Sequence, residues 1–534
     1  MMVTTAPGDG RAARRVVKRA GPAPPGEPVR RALSAILVAG FGLLAWSARP
    51  ADAAAQQPLK LGEALESADA GAYAVRIADG EARERSAGRL QAMRGILPTV
   101  RFESGFMRTT DPLGAFGMKL WQRSIGQPDF DPALLNDPAV GEDWTGAMVV
   151  EVPLVNPDAW LGLRAAGAAA EAAGAAARLE GVSTRGDVVR VYYGAVLAAE
   201  KVETLEAASA AAAAHVRQAE LMVEQGLVTK SDALLARVKA GEVDAELVSA
   251  RGEVRTAARQ LATLLGRPDE VPVLPERLPP ADAVRATVRA IQPAPVAAVG
   301  VAGAGTLELE GGPTAELAGR AGGTGVSGQE GGVPAGIDQR SDVRAARLGL
   351  SAARRDELRA RATWLPRINA FGRYDWHSLD GLYQGEESWT VGVMAQWTPI
   401  AGAGHLGENR AAAGRRAVAE ARADAAAANA RLELETTAER LVVALERLSI
   451  AERAVDHAVE AHRIVSRKYE GGLATVVELL DASATETRTR LQRAHAVYTV
   501  IAEGAARTLA LGEDPGRFAE LDGATDRRES DDAE

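Results

Sequence analysis

Apolar residues recur at every second position over two stretches in the second half of the chain. Ile368, Ala370, Gly372, Tyr374 and Trp376 alternate with Asn369, Phe371, Arg373 and Asp375. After a polar, glycine-rich loop, Trp389, Val391, Val393, Ala395 and Trp397 alternate with Thr390, Gly392, Met394, Gln396 and Thr398. A period of two predicts a pair of β-strands within about 367–398. An apolar face with aromatic residues at both ends suits a membrane barrel, and it also suits a hairpin lying on a soluble core. The first half offers Val100, Phe102, Ser104 and Phe106 as one strand, with residues 144–152, apolar at even positions, as its partner. That pair falls within about 99–152.

The remaining pattern is helical. Each half opens with a helix-like segment, 59–96 and 342–364, closed by Leu97-Pro98 and Leu365-Pro366. Proline disfavours helix in the residue before it. After each strand pair comes a very long helical run. Asn156-Pro157 supplies an N-cap residue and a first-turn proline, and no proline follows as far as Gln225. Gly226 interrupts, and the helical pattern resumes to Leu265. The second half repeats this from about Leu406 to Glu470, breaks at Gly471-Gly472, and runs on to Leu511. At ~1.5 Å per residue, about 70 helical residues span roughly 100 Å. Two such helices joined by a glycine turn predict a hairpin, and alanine-rich faces permit close helix–helix approach.

The two halves are copies. Residues 146–266 superpose on 392–512 without a gap, at an offset of 246. Gly146, Met148 and Pro153 meet Gly392, Met394 and Pro399; Gly226, Leu227 and Thr229 meet Gly472, Leu473 and Thr475. Leu97-Pro98 matches Leu365-Pro366 at the larger offset of 268, so the first half carries the longer insertion before position 146. One conflict stands: the even-numbered apolar face of 144–152 disagrees by one residue with the gapless alignment, as a bulge or a local slip would produce.

These patterns divide the chain into an export signal over 1–53, a first repeat over 54–266, a Pro/Gly/Ala-rich linker over 267–338, a second repeat over 339–512 and an acidic, disordered tail over 513–534. One short helix is expected in the linker near 281–291. The signal has a basic region (Arg11, Arg14, Arg15, Lys18, Arg19, Arg30, Arg31), an apolar run over 32–46 and the small-x-small site Ala51-Asp52-Ala53. The apolar run is short for a membrane-spanning helix, which needs about 20 residues.

Composition narrows the function. Aromatic residues make up only 4% of 534 residues, which favours thin helix-on-helix packing over a large globular core. The net charge of −9, with no basic face, gives nucleic-acid binding no support. Cysteine is absent, which removes disulfides, thiolate metal sites and cysteine nucleophiles. The six histidines are scattered without a metal-ligand spacing, and no phosphate-binding P-loop occurs. Residues 323–328 fit G-x-G-x-x-G but lie in low-complexity linker. No enzyme, metal or cofactor is expected.

Together, the signal, the duplicated strand-pair-plus-helical-hairpin and the glycine-marked helix tips resemble the TolC-type outer-membrane factors over about 59–512, apart from the linker. The opening helix at 59–65, the Leu-Pro pairs, Pro153-Leu154 and Pro399-Ile400 carry the resemblance. So do Asp111-Pro112, Phe116-Gly117 and residues 130–136 in the first surface loop. The family's Asn-Pro in the first helix is missing around 70–73. The resemblance implies a mainly α fold with a small β part. Long antiparallel hairpins would form a periplasmic α-barrel, and four strands per protomer would enter a homotrimeric twelve-stranded outer-membrane β-barrel. It implies a passive exit duct in the outer membrane, serving a tripartite efflux pump or type I secretion. Its partners would be a periplasmic adaptor, an inner-membrane pump or ABC exporter, and outer-membrane lipid. A periplasmic coiled-coil scaffold or adaptor without a barrel is the alternative, distinguished by having no need of the strand pairs.

The resemblance also implies site residues. Glu478 and Asp481, three apart on one helix face, would ring the inner constriction, where threefold symmetry would gather six carboxylates and attract cations. Tyr469 would help tether the closed tip, with Asp232 as an acidic partner. An arginine found in the family is replaced by Ala474. Gly226, Leu227, Gly472 and Leu473 would be the adaptor-docking tips. Every one of these also fits an ordinary solvated helix end or hairpin turn.

Overall fold

The computed structural model describes residues 58–291, 337 and 340–524. The signal peptide, the linker beyond 291 except Ile337, and residues 525–534 lie outside them. The chain runs α1 (Leu61–Gly71), α2 (Tyr73–Met93), β1 (Thr99–Thr109), α3 (Pro112–Trp121), α4 (Pro132–Asn136), β2 (Gly141–Val155), α5 (Pro157–Glu224), α6 (Lys230–Leu264) and α7 (Ala281–Ile291). It continues with α8 (Ser341–Ala362), β3 (Arg367–Ser378), β4 (Glu386–Gln396), α9 (Gly404–Glu470) and α10 (Val476–Ala510). The helices are long because nothing stops them: α5 has 68 residues and α9 has 67, each about 100 Å. Among the described residues no helix is long and apolar enough to cross a membrane.

The repeat survives in three dimensions. α5 and α9 end at Glu224 and Glu470, α6 and α10 start at Lys230 and Val476, and they end at Leu264 and Ala510, always 246 apart. Each pair folds back as an antiparallel hairpin. Alanines fill the seams, and ion pairs such as Lys201–Glu253 (3.1 Å) and Arg251–Glu206 (2.7 Å) bridge α5 to α6 outside them. The main core sits midway along the hairpins. Val188, Tyr192 and Val196 of α5 meet Leu261 of α6, Leu441 and Leu448 of α9, and Val497 and Ile501 of α10. Against this belt pack α1, through Leu61 and Leu65, and α7, through Val284 and Val288. Gly71 and Gly266 touch through their backbones, and a Cβ on Gly266 would lie 2.1 Å from the Gly71 oxygen. The first helix breaks here, at Ala72 (φ −56°, ψ 133°), without the Asn-Pro pair of the family.

Two expectations need correction. The chain beyond 512 does not fray at once. Pro515, Phe518 and Leu521 are buried, and Tyr193 donates its hydroxyl proton to the Phe518 carbonyl at 3.2 Å. Apolar side chains within the acidic run hold it to the belt. Asn156 precedes α5, but its side chain does not cap the helix; its amide instead donates to the Gly95 carbonyl at 3.3 Å.

The four strands form one antiparallel sheet in the order β1-β2-β3-β4. Register places Val100, Phe102 and Phe106 in line with Val150, Met148 and Trp144, and Gly372 and Tyr374 in line with Val391 and Trp389. One face is therefore mainly apolar, with Ser104, Ser378 and Glu387 toward its loop end. The other carries Arg101, Glu103, Glu151, Asn369, Arg373, Asp375 and His377. The parity conflict resolves as a bulge. Pro153 pairs with Asn369 and Val155 with Ile368, so β2 holds one extra residue where it joins α5. That residue turns the whole of β2 over relative to its copy β4, while the helices keep their offset.

Candidate functional site

Three features of the sheet decide what it can do. First, its apolar face is open: Phe102 is 64% exposed, Trp389 70% and Val391 68%, and among the described residues no helix covers them. Second, β1 and β4 each pair on one side only, leaving two rows of unpaired backbone donors and acceptors. Third, all seven described tryptophans belong to the sheet and its ends. Trp144, Trp376 and Trp389 join Phe106 and Tyr374 on the apolar face near the loop end; Trp160, Trp364 and Trp397 mark the helix end; Trp121 lies in the first loop. Phe106 meets Trp144 at 4.7 Å between ring centres and Tyr374 meets Trp376 at 4.8 Å. Two aromatic girdles bounding an apolar band are the surface of a lipid-embedded barrel wall.

The polar face is a charge network. Arg373 reaches Glu103 at 3.2 Å and Asp375 at 2.7 Å, and the Asn369 amide donates to Glu151 at 2.8 Å. At the loop end α3 lies on this face. Asp111 caps it by accepting from the Gly114 N–H at 2.6 Å, and Ala115 and Met118 are buried. Beneath its last turn the fully buried Asp143 accepts from the Gln122 amide at 2.9 Å and lies 2.7 Å from His377 Nδ1. Trp121 stacks on that histidine at 4.9 Å. The Gln122–Asp143–His377–Trp121 cluster was not singled out in the sequence, although Asp-Pro at 111–112 and 131–132 are readable helix starts.

The helix tips lie at the opposite end of the hairpins. Both turns are Schellman motifs. Gly226 and Gly472 have φ +73°, and Leu227 and Leu473 donate their N–H to the carbonyls of Met222 and Lys468 at 2.9 and 2.7 Å. The positive φ is the reason for glycine. Leu227 and Leu473 project outward, 65% and 83% exposed. Behind them the two tips share one apolar cluster: Ala219, Ala233, Ala236, Tyr469, Val476, Leu479 and Leu480.

Glu478 and Asp232 occupy equivalent capping boxes, a local role that the sequence reading, which took both from the family resemblance, did not assign. Glu478 accepts from the Thr475 N–H at 2.7 Å and hydroxyl at 3.1 Å, and its own N–H donates to the Thr475 hydroxyl at 3.3 Å. Asp232 does the same with Thr229, at 2.9, 2.8 and 3.3 Å. The backbone bond from Thr475, then its hydroxyl, hold the Glu478 carboxyl below its ordinary value. Asp481 follows one turn later, close enough to Lys239 of α6 to be the smallest of the influences raising that lysine, after Glu242. Tyr469 is 1% exposed and its oxygen has no hydrogen-bond partner. Burial, then the charge of Asp232, raise its pKa. Within one chain the two do not bond. Ala474 packs partly buried against the same cluster.

Residues 65–267 and 336–513 match the family described as outer membrane efflux protein, well over half of the chain. The chain belongs to that family. No curated protein matches it significantly. Solved structures match across nearly the whole fold. The outer membrane protein VceC of Vibrio cholerae is 18% identical with a TM-score of 0.63, covering 85% of this chain and 96% of VceC. The CmeC outer membrane channel of Campylobacter jejuni is 13% identical with a TM-score of 0.64, covering 87% and 89%. The open state of the MtrE outer membrane channel of Neisseria gonorrhoeae is 16% identical with a TM-score of 0.61, covering 86% and 90%. Identities this low establish the shared fold, a helical hairpin body with a small antiparallel sheet. Family membership makes this outer membrane efflux protein a channel component of an efflux pump, located in the outer membrane.

Proposed function

We propose that the protein is a homotrimeric exit duct through which substrate passes without chemistry, energised by an inner-membrane pump or ABC exporter through a periplasmic adaptor. The observation that carries this reading is the sheet, whose exposed apolar face needs lipid and whose edge strands need partners. Three copies supply both: β4 of one chain pairs with β1 of the next, and twelve strands close without an edge. The long hairpins then stand side by side as a tube in the periplasm. Its far end is ringed by Glu478 and Asp481, with Tyr469 and Asp232 beneath, and the outward Leu227 and Leu473 at the glycine turns receive the adaptor. Glu478 is already engaged with Thr475, so Asp481 is the freer carboxylate of the ring.

Two experiments test the reading. The membrane fraction should show a band whose gel migration changes on heating, as a closed barrel does. A protein released in soluble form by cell breakage would favour the scaffold alternative. In single-channel recordings, Glu478→Gln with Asp481→Asn should weaken block by multivalent cations. An unchanged block would remove these residues from the constriction.

A further inference from the structure

A pair of histidines lies in the helical body, just behind the apolar cluster of the tips, on which the neighbouring Val216 and Val465 pack. His215 of α5 and His462 of α9 face each other with ring centres 5.7 Å apart and planes at 75°. The pair bridges the first hairpin to the second. Each has its Nε2 buried without a hydrogen-bond partner. His462 Nδ1 lies 2.7 Å from Glu486 Oε2 of α10, and Arg490 donates to the other oxygen of that carboxylate at 2.7 Å. A carboxylate can only accept, so His462 carries its proton on Nδ1 and, when neutral, presents the Nε2 lone pair. Carboxylate on one ring nitrogen and an open lone pair on the other is the arrangement of a metal-ligating histidine with its supporting partner. Two imidazoles sharing one ion through nitrogen at ~2.0–2.1 Å have centres roughly 5–6 Å apart.

We propose that His215 and His462 bind a divalent transition-metal ion through their Nε2 atoms, clamping the two hairpins together, with Glu486 as the positioning residue. Imidazole donors select zinc, copper or nickel over magnesium and calcium. Among the described residues no cluster of three or more His, Cys, Asp or Glu side chains could hold a metal. The protein therefore supplies two donors, and water completes the shell from an adjoining cavity of about 520 Å³ that reaches His462 and Glu486. Such a site exchanges its ion readily.

The test uses the protein purified from membranes, stripped of metal and titrated with Cu²⁺, Zn²⁺ and Mg²⁺. Cu²⁺ should bind at one saturable site per chain, with an electron paramagnetic resonance spectrum showing two imidazole nitrogens. Zn²⁺ should raise the thermal midpoint and Mg²⁺ should not. His215→Gln and His462→Gln should each weaken binding at least tenfold and leave one nitrogen coupling. Glu486→Gln should weaken it about 10- to 100-fold with both couplings retained, which separates positioning from ligation. His457→Gln, at an exposed site on the same helix, should change nothing. Binding or spectra unaffected by the His215 and His462 variants, or lost equally in His457→Gln, would overturn the proposal. Gel migration on heating, measured on the same variants, reports the barrel separately, so failure here and failure of the channel reading are distinguishable.

Discussion

The decisive perturbation is an arginine placed on one side of β4 or the other. Val393 and Met394 are neighbours two to three residues from the middle of the strand, 65% and 51% exposed. Val393 shares the apolar face through its partner Ala370, and Met394 shares the polar face through Asn369. Arginine on the lipid side of a membrane barrel costs about 2–4 kcal/mol at the midplane and about 0–1 near the interfaces, so Val393→Arg should cost about 2 kcal/mol per chain. Three chains closing one barrel carry it three times, about 6 kcal/mol for the assembly, a large part of the ~5–15 kcal/mol that holds a typical protein folded. Met394→Arg adds the same charge at the same depth, where water and Glu151 are within reach of that face, and should cost less than about 1 kcal/mol. The assay is the urea midpoint of the barrel in lipid vesicles, with the heat-modifiable band as a second readout. Val393→Arg should shift the midpoint strongly or abolish the band, and Met394→Arg should leave both nearly unchanged. Equal tolerance of the two would refute the assignment of the apolar face to lipid.

Further outcomes are expected elsewhere. Gly266→Ala combines a left-handed φ of +75° with a 2.1 Å clash on the Gly71 backbone. It should destabilise by about 2–5 kcal/mol, the sum of a conformational cost of ~1–2 and an overpacking cost of ~1–3. Its repeat counterpart Gly512→Ala, at φ +76° but with Arg340 Cγ at a tolerable 3.5 Å, should lose only about 1–2 kcal/mol in the same thermal melts. The Glu478 carboxyl is lowered by its bonds to Thr475, so it binds protons less readily folded than unfolded. The cap should therefore be intact above the ordinary glutamate pKa and loosen only as pH falls through the lowered one. Protection factors at the Thr475 and Glu478 amides, corrected for the intrinsic pH dependence of exchange, check this, and protection lost instead toward alkaline pH would contradict it.

The long hairpins and both strand pairs were legible because their signals are redundant. A proline-free run of nearly seventy residues can hardly be anything but helix, and Tyr374, Trp376, Trp389 and Val391 state their face twice through period and partner. The duplication sharpened this, since Gly226 and Gly472 mark the same turn. What escaped notice depends on contacts remote in sequence. Phe518 reads as one aromatic in an acidic run until Tyr193 and Val288 are seen beside it. The choice of Gly95 over a cap by Asn156 is made by a segment 61 residues away. The tip residues were assigned through family likeness alone, whereas their capping boxes were written locally in Thr475-Val-Val-Glu478 and Thr229-Lys-Ser-Asp232. The facing of His215 and His462 could not be read at all, because only the docking of two hairpins creates it.

The extra residue beside Pro153 has a wider consequence. Inserted inside α5, one residue would rotate every later side chain by about 100° and scramble a seam of almost seventy positions. Inserted inside β2, it would invert only what lies beyond it. At the joint between them it turns the ribbon over as one unit and leaves the phase of the helix unchanged. The chain thus has a seam where wall and pipe can be edited separately. Descendants of a duplicated ancestor could reverse a ribbon in one half and leave its pipe untouched.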